Sequence, residues 1–310
     1  MLKILGCLLA LSALAPLAHG SDLSPQKVDE IAKANGLDAA HAAAFAKAMG
    51  AARWATQGNA AAIHPETREQ CRKDNIDTGK LKGGDSDAAV CGHPNMAVVP
   101  TLDGHKVCID RYEFPNVPCD YPVTWVQANQ ASDICKSEGK RLCHAHEWEG
   151  ACANVAQPQD WQHPGNSARK KVWAYGDKRD PSLCAFGQPK SPGCEAAIES
   201  NKGVVQSCGP NTWPSGSFPQ CAGPLGVYDQ HGNAAEHMNL ARNERESGAH
   251  GGTGVTEMKG SWFVFPSKGE HVVHEDDCLW RAPGWHRTDV ANPASHANYH
   301  LGFRCCADAE

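Results

Sequence analysis

The chain opens on an almost unbroken apolar run, Ile4 to Leu17, preceded by Lys3 and followed by the small-x-small triplet Ala18-His19-Gly20. This arrangement predicts a signal peptide over residues 1–20. A run interrupted by Pro16 is too short to span a bilayer, and no later segment stays apolar for long enough. Residues 21–63 form an Ala-rich segment. Its apolar positions Val28, Ile31 and Ala32, then Ala43, Phe45, Ala46 and Met49, predict short amphipathic helices broken at Gly36 and Gly50. A polar stretch over residues 64–90, containing Lys80 and Gly83-Gly84, reads as a linker that Cys71 and Cys91 tie to the main domain.

From Cys91 to the end the pattern becomes irregular and forms a single domain, 91–310. Short apolar runs at Met96–Val99 and Lys106–Ile109 predict strands. One helix is predicted to start after Thr124 as N-cap, with Trp125, Ala128, Ala131 and Cys135 on its buried face. A second is predicted from about His144 to Cys152, with Ala145, Trp148 and Cys152 at helical spacing. Beyond Gln157, loops rich in Pro, Gly and aromatic residues dominate, and no internal repeat is visible.

Cysteine usage sharpens this picture. Removing Cys7 with the signal peptide leaves fourteen of the fifteen cysteines, an even number in a chain destined for the periplasm or the extracellular space. Disulfides are therefore expected. Structural zinc is not, since no C-x-x-C spacing occurs. A net charge of -6 with no basic run argues against nucleic acid or an anionic membrane as partner.

Five segments carry a resemblance to the formylglycine-generating, or sulfatase-modifying, enzyme family: Cys108-Ile-Asp-Arg-Tyr-Glu-Phe-Pro-Asn116, Pro122-Val-Thr-Trp125, Gly139-Lys-Arg-Leu142 with Glu147-Trp-Glu149, Gly226 to Glu236, and Gly302-Phe-Arg-Cys305. The resemblance implies an α+β, C-type-lectin-like fold with sparse regular structure. It fixes a fold before it fixes a reaction.

Within Gly226 to Glu236, the side chains of Asp229, Asn233 and Glu236 offer hard oxygen ligands, and Gly232 permits a turn aiming the His231 carbonyl at the same point. Such a set suits calcium, and the resemblance implies calcium at these positions. The alternative reading is a turn held by Asn and Asp side chains, with Glu236 in a surface ion pair. The family's Trp residues on either side of the Glu are Ala235 and His237 here. In the middle of the Gly139 to Trp148 segment stand Cys143, His144, Ala145 and His146. The two histidines are read as N-capping or surface groups rather than a metal pair.

The resemblance also implies the disulfides Cys135–Cys305 and Cys152–Cys278, and Cys306 is a partner for the extra Cys143. The family's oxygen chemistry uses two thiolates, soft ligands suited to copper, but Cys278 is the one cysteine in the matching region. Counting back from it by the family's five-residue spacing meets Val273 and Lys268. A different metal centre is open to His271, His274, Cys278 and His286, beside Glu275, Asp276 and Asp277: non-heme iron or zinc, or copper if Cys278 is free. The bland alternative is a solvated polar loop. Two functions stand as expectations. One is a metal-dependent oxidoreductase acting on protein cysteine or a small substrate, with Cys278, His271 and His274 as catalytic candidates. The other is a non-catalytic lectin-like module binding a peptide, glycan or envelope component.

Overall fold

The computed structural model describes residues 23–58, 62–81, 87–162, 170–248, 253–264, 276–284 and 287–309. The segment read as a signal peptide lies outside them.

Helices α1 (Pro25–Ala34) and α2 (Ala39–Ala51) come first. Ser24 caps α1 by accepting the Lys27 amide, and Asp38 caps α2 by accepting that of His41. Gly36, at φ +69°, makes the turn between them. The second predicted break does not occur, because α2 continues through Gly50. One glycine costs a helix about 1 kcal/mol, little against the alanines around it and the packing of its buried face. That face is Phe45 and Met49, which join Ile31 of α1 in one apolar cluster with Phe114, Val126, Ile134 and Phe303. The leader helices thus help to build the main core.

The polar stretch that reads as a linker is also held down. Arg68–Cys71 and Ala88–Cys91 (α3 and α4) are single helical turns, the first running into a π-helical turn over Arg72–Ile76. Disulfides Cys71–Cys119 and Cys91–Cys108 bind these turns to the domain. Asn75, buried, donates to the Gly216 and Ser217 carbonyls.

Two small sheets organise the rest. Strands β1 (Met96–Val99) and β2 (Val107–Asp110) pair antiparallel, and β7 (Cys305–Asp308) lies between β2 and β3 (Arg141–Leu142). In the second sheet β4 (Ala235–Leu240), buried along its length, lies between β5 (Val255–Lys259), antiparallel, and β6 (Leu301–Phe303), parallel. Arg304 alone separates β6 from β7, so one residue joins the sheets.

Helices α5 (Ala128–Ser137) and α6 (Ala145–Ala153) pack across these strands. The start of α5 differs from the sequence reading. Thr124 bridges to Thr56 of the leader, Trp125 takes φ +60°, and Gln127 caps the helix in a reciprocal pair with Gln130. Trp125 therefore leaves the helix face, packs with Phe263 and Tyr299, and donates to the Cys208 carbonyl. Both helices are tied to the C-terminal half, α5 by Cys135–Cys305 and α6 by Cys152–Cys278, while Cys143–Cys306 links the segment between them to β7.

Candidate functional site

The segment from Gly226 to Glu236 enters β4 through two left-handed residues, Asp229 (φ +57°) and Asn233 (φ +55°). At Gly232 (φ +76°) a Cβ would stand 2.6 Å from the Ala185 carbonyl oxygen, so the backbone approach demands glycine. This turn sets the three sequence-predicted oxygen donors, and each already has partners. Asp229 Oδ2 accepts the Gly216 amide at 2.6 Å. Asn233 Oδ1 accepts the Trp213 amide at 2.7 Å, and its Nδ2 donates to Glu113 at 2.6 Å. Glu236 receives the Arg304 guanidinium on both oxygens, at 2.6 and 2.7 Å, and the Trp148 indole N–H at 2.9 Å.

Arg304 is fully buried and also donates to the Asp110 and Tyr228 carbonyls. Glu236 is consequently a core ion-pair partner and not a surface one. A calcium ion drawing on Glu236 has to displace the guanidinium, and one drawing on Asn233 Oδ1 has to displace an amide. As arranged, these residues do not fit an oxygen cage for calcium, and the cation they surround is Arg304.

Glu113 completes the group, accepting from Ala234 N, Ser215 Oγ and Asn233. Three buried carboxylates then face one guanidinium. Burial, followed by the charges of Asp229 and Glu236, drives the Glu113 carboxyl well above its ordinary range. Burial, with Glu236 adding to it against the Gly216 amide and Arg304, pushes Asp229 up to about 7.

The His231 ring points elsewhere. Its Nδ1 lies 2.7 Å from the Asp276 carbonyl and its Nε2 accepts the Ala174 amide at 2.9 Å, fixing the proton on Nδ1. Burial lowers its pKa to about 4, leaving a neutral ring against the Cys152–Cys278 disulfide, 3.3 Å from Cys152 Sγ. Cys278 is therefore not a thiol. Asp276 and Asp277 beside it are buried, with Asp276 receiving Arg179 and the Trp173 indole, so this end is no solvated loop. His271, His274, Glu275 and His286 lie outside the described residues.

His144 and His146 depart most from the sequence reading. His144 does cap α6, its amide bonded to Glu147, but both rings are buried and both turn to one carboxylate, Asp160, at 3.5 and 3.4 Å. Burial penalises the charged Asp160, yet the two adjacent imidazoles of His144 and His146 and the Arg281 charge outweigh it and hold the carboxyl well below its usual range. Burial likewise opposes charge on His146, and Asp160 more than compensates, raising its pKa. Nothing in the sequence marks Asp160, which reaches the helix start through a loop. The histidines border a cavity of about 600 Å³, walled also by the β1–β2 loop, residues 157–162 and the end of β7.

The model of the "Sulfatase-modifying factor enzyme 1-like domain" matches residues 97–309. No curated protein matches the chain. Among solved structures, the crystal structure of CarF is similar at 14% identity with a TM-score of 0.38, covering 69% of this chain and 93% of that one.

Proposed function

This chain belongs to the sulfatase-modifying factor family, and on that premise we propose that it is an exported, non-catalytic binding module for a peptide, glycan or envelope component. The Cys152–Cys278 bond carries the reading. Copper–oxygen chemistry of the family's kind needs converging thiolates, and a sulfur held in a disulfide cannot act as one. Fourteen cysteines are paired in seven bonds; the fifteenth, Cys7, lies in the predicted signal peptide outside the described residues. Seven disulfides match an oxidising extracellular or periplasmic environment. Among the described residues, no helix is long and apolar enough to cross a membrane.

The test supplies the mature protein with copper and a cysteine peptide carrying the sulfatase recognition sequence, and looks for the aldehyde by mass spectrometry. No aldehyde is expected, and no thiol should be alkylated in unreduced, denatured protein. Turnover that disappears in Cys278→Ser would overturn the reading.

A further inference from the structure

We infer that the cavity beside the start of α6 is a binding site for a neutral, hydroxylated ligand, a mono- or disaccharide, with His146 as a hydrogen-bonding group in its wall. This rests on the binding-module reading and gives that reading a place and a ligand class. At about 600 Å³ the cavity is of ligand size.

Its charges argue against an anion. The Arg141 guanidinium is engaged by Glu147 at 2.6 and 2.8 Å and by Asp308 at 2.7 Å. Asp160, behind His146, accepts the amides of His146 and Ala241 and lies 3.3 Å from Arg281. The wall carries Asp103, Glu147, Glu244 and Asp308 against Arg141 and Lys106, so an incoming anion meets an excess of carboxylates, and a lysine comparator tests whether a cation is taken instead. Between these groups stand Gln157, Gln159, Gln162 and Ser247, which carry donors and acceptors without charge. Trp161, half-buried, adds a flat apolar face of the kind a pyranose ring covers.

His146 is the most specific element. Its side chain is 10% exposed. Its Nδ1 is shielded from solvent without a hydrogen-bond partner, 3.4 Å from Asp160 Oδ1, so the ring meets the cavity through its other edge. With Nδ1–H turned to Asp160, the neutral ring offers an acceptor there, and the protonated ring offers a donor. A hydroxyl matches both states, while an ion of fixed sign matches one.

The experiment is titration calorimetry with four probes, glucose, N-acetylglucosamine, cellobiose and chitobiose, with lysine and acetate as charged comparators. At least one saccharide should bind with a dissociation constant of about 10 mM or tighter. Trp161→Ala and His146→Ala should each weaken it roughly tenfold or more, and His146→Gln, which restores a polar group, should recover part of the loss. Trp161, at the half-exposed wall, keeps the test valid if the His146 variants do not fold. The proposal fails if none of the four saccharides binds, if Trp161→Ala leaves binding unchanged, or if lysine or acetate binds more tightly. Aldehyde formation on the cysteine peptide would sink the non-catalytic reading without touching saccharide binding, so the two failures are distinguishable.

Discussion

Asp229 ties stability to pH through one proton. Its folded value of about 7 stands above its ordinary 3.8, so between these values the folded chain holds a proton that the unfolded chain has released. Stability from this group is complete below about pH 4 and is lost as pH rises through 7. Glu147 works in the opposite sense. Burial is outweighed by Arg141, which draws the carboxyl down to about 2 from 4.5, so its contribution is present above pH 4.5 and fades as pH falls toward 2. Urea unfolding of wild type and Asp229→Asn across pH 4 to 8 should show a shallower downward slope between pH 4 and 7 in the variant, since Asn can still accept the Gly216 amide while the raised Glu113 carboxyl keeps its own share of the slope. A slope unchanged in the variant would show that Asp229 does not hold the proton. Adding calcium gives an independent arm. A bound cation would deprotonate Asp229 and remove its share of that slope in wild type, whereas the ion pairing of Glu236 with Arg304 leads us to expect no calcium effect.

At the scale of elements, what was legible in the sequence is what local periodicity encodes. Residues Ala145, Trp148 and Cys152 announce α6 because their spacing matches a turn of helix, and β1 and β2 announce themselves as short apolar runs. The cysteine pairs 135–305 and 152–278, implied by family resemblance, are present in the structure. Thr124 misled because a good N-cap residue is equally good in a bridge, and its partner, Thr56, is 68 positions earlier in the chain. How the three oxygen donors are bonded was illegible for a similar reason. Asp229, Asn233 and Glu236 are near in sequence, but Arg304 and Glu113, which settle their bonding, are remote. His146 and Asp160 escaped because no short-range pattern signals a carboxylate arriving from a loop. Gly232 is the position where sequence and geometry agree most closely. Gly232→Ala places a Cβ against the Ala185 backbone at a left-handed φ and should cost on the order of 2 kcal/mol or more in chemical denaturation. A variant as stable as wild type would mean that the turn can open at no expense.

For the molecule as a whole, the leader helices matter most, because a segment that reads as an appendage packs as part of the core. Phe114 is sandwiched between Phe45 of α2, centroids 6.1 Å apart, and Phe303 of β6, stacked at 4.5 Å. Asn35, just past α1, donates to the Pro115 carbonyl, and the Gln57 side chain donates to that of Tyr121. No disulfide among the described residues joins residues 23–58 to the rest, so beyond the continuity of the chain only noncovalent contacts hold them in place. Burying each large apolar side chain contributes about 1.5–3 kcal/mol, so losing the contacts of Ile31, Phe45 and Met49 removes an amount comparable to the whole stability of a typical domain, about 5–15 kcal/mol. Disulfides limit how far the remainder expands without filling the exposed apolar surface. A chain beginning at Ile63 should therefore bind a hydrophobic dye, lose its sharp thermal transition and aggregate, although its seven disulfides are retained. Supplying residues 21–62 as a separate peptide should restore part of the transition, because it returns the Ile31, Phe45 and Met49 side chains that complete the cluster with Phe114, Val126, Ile134 and Phe303 and binds the folded form alone. If the truncated chain instead melts as sharply as the full one and binds no dye, the leader is dispensable, and its contacts with Phe114 contribute far less than their burial indicates.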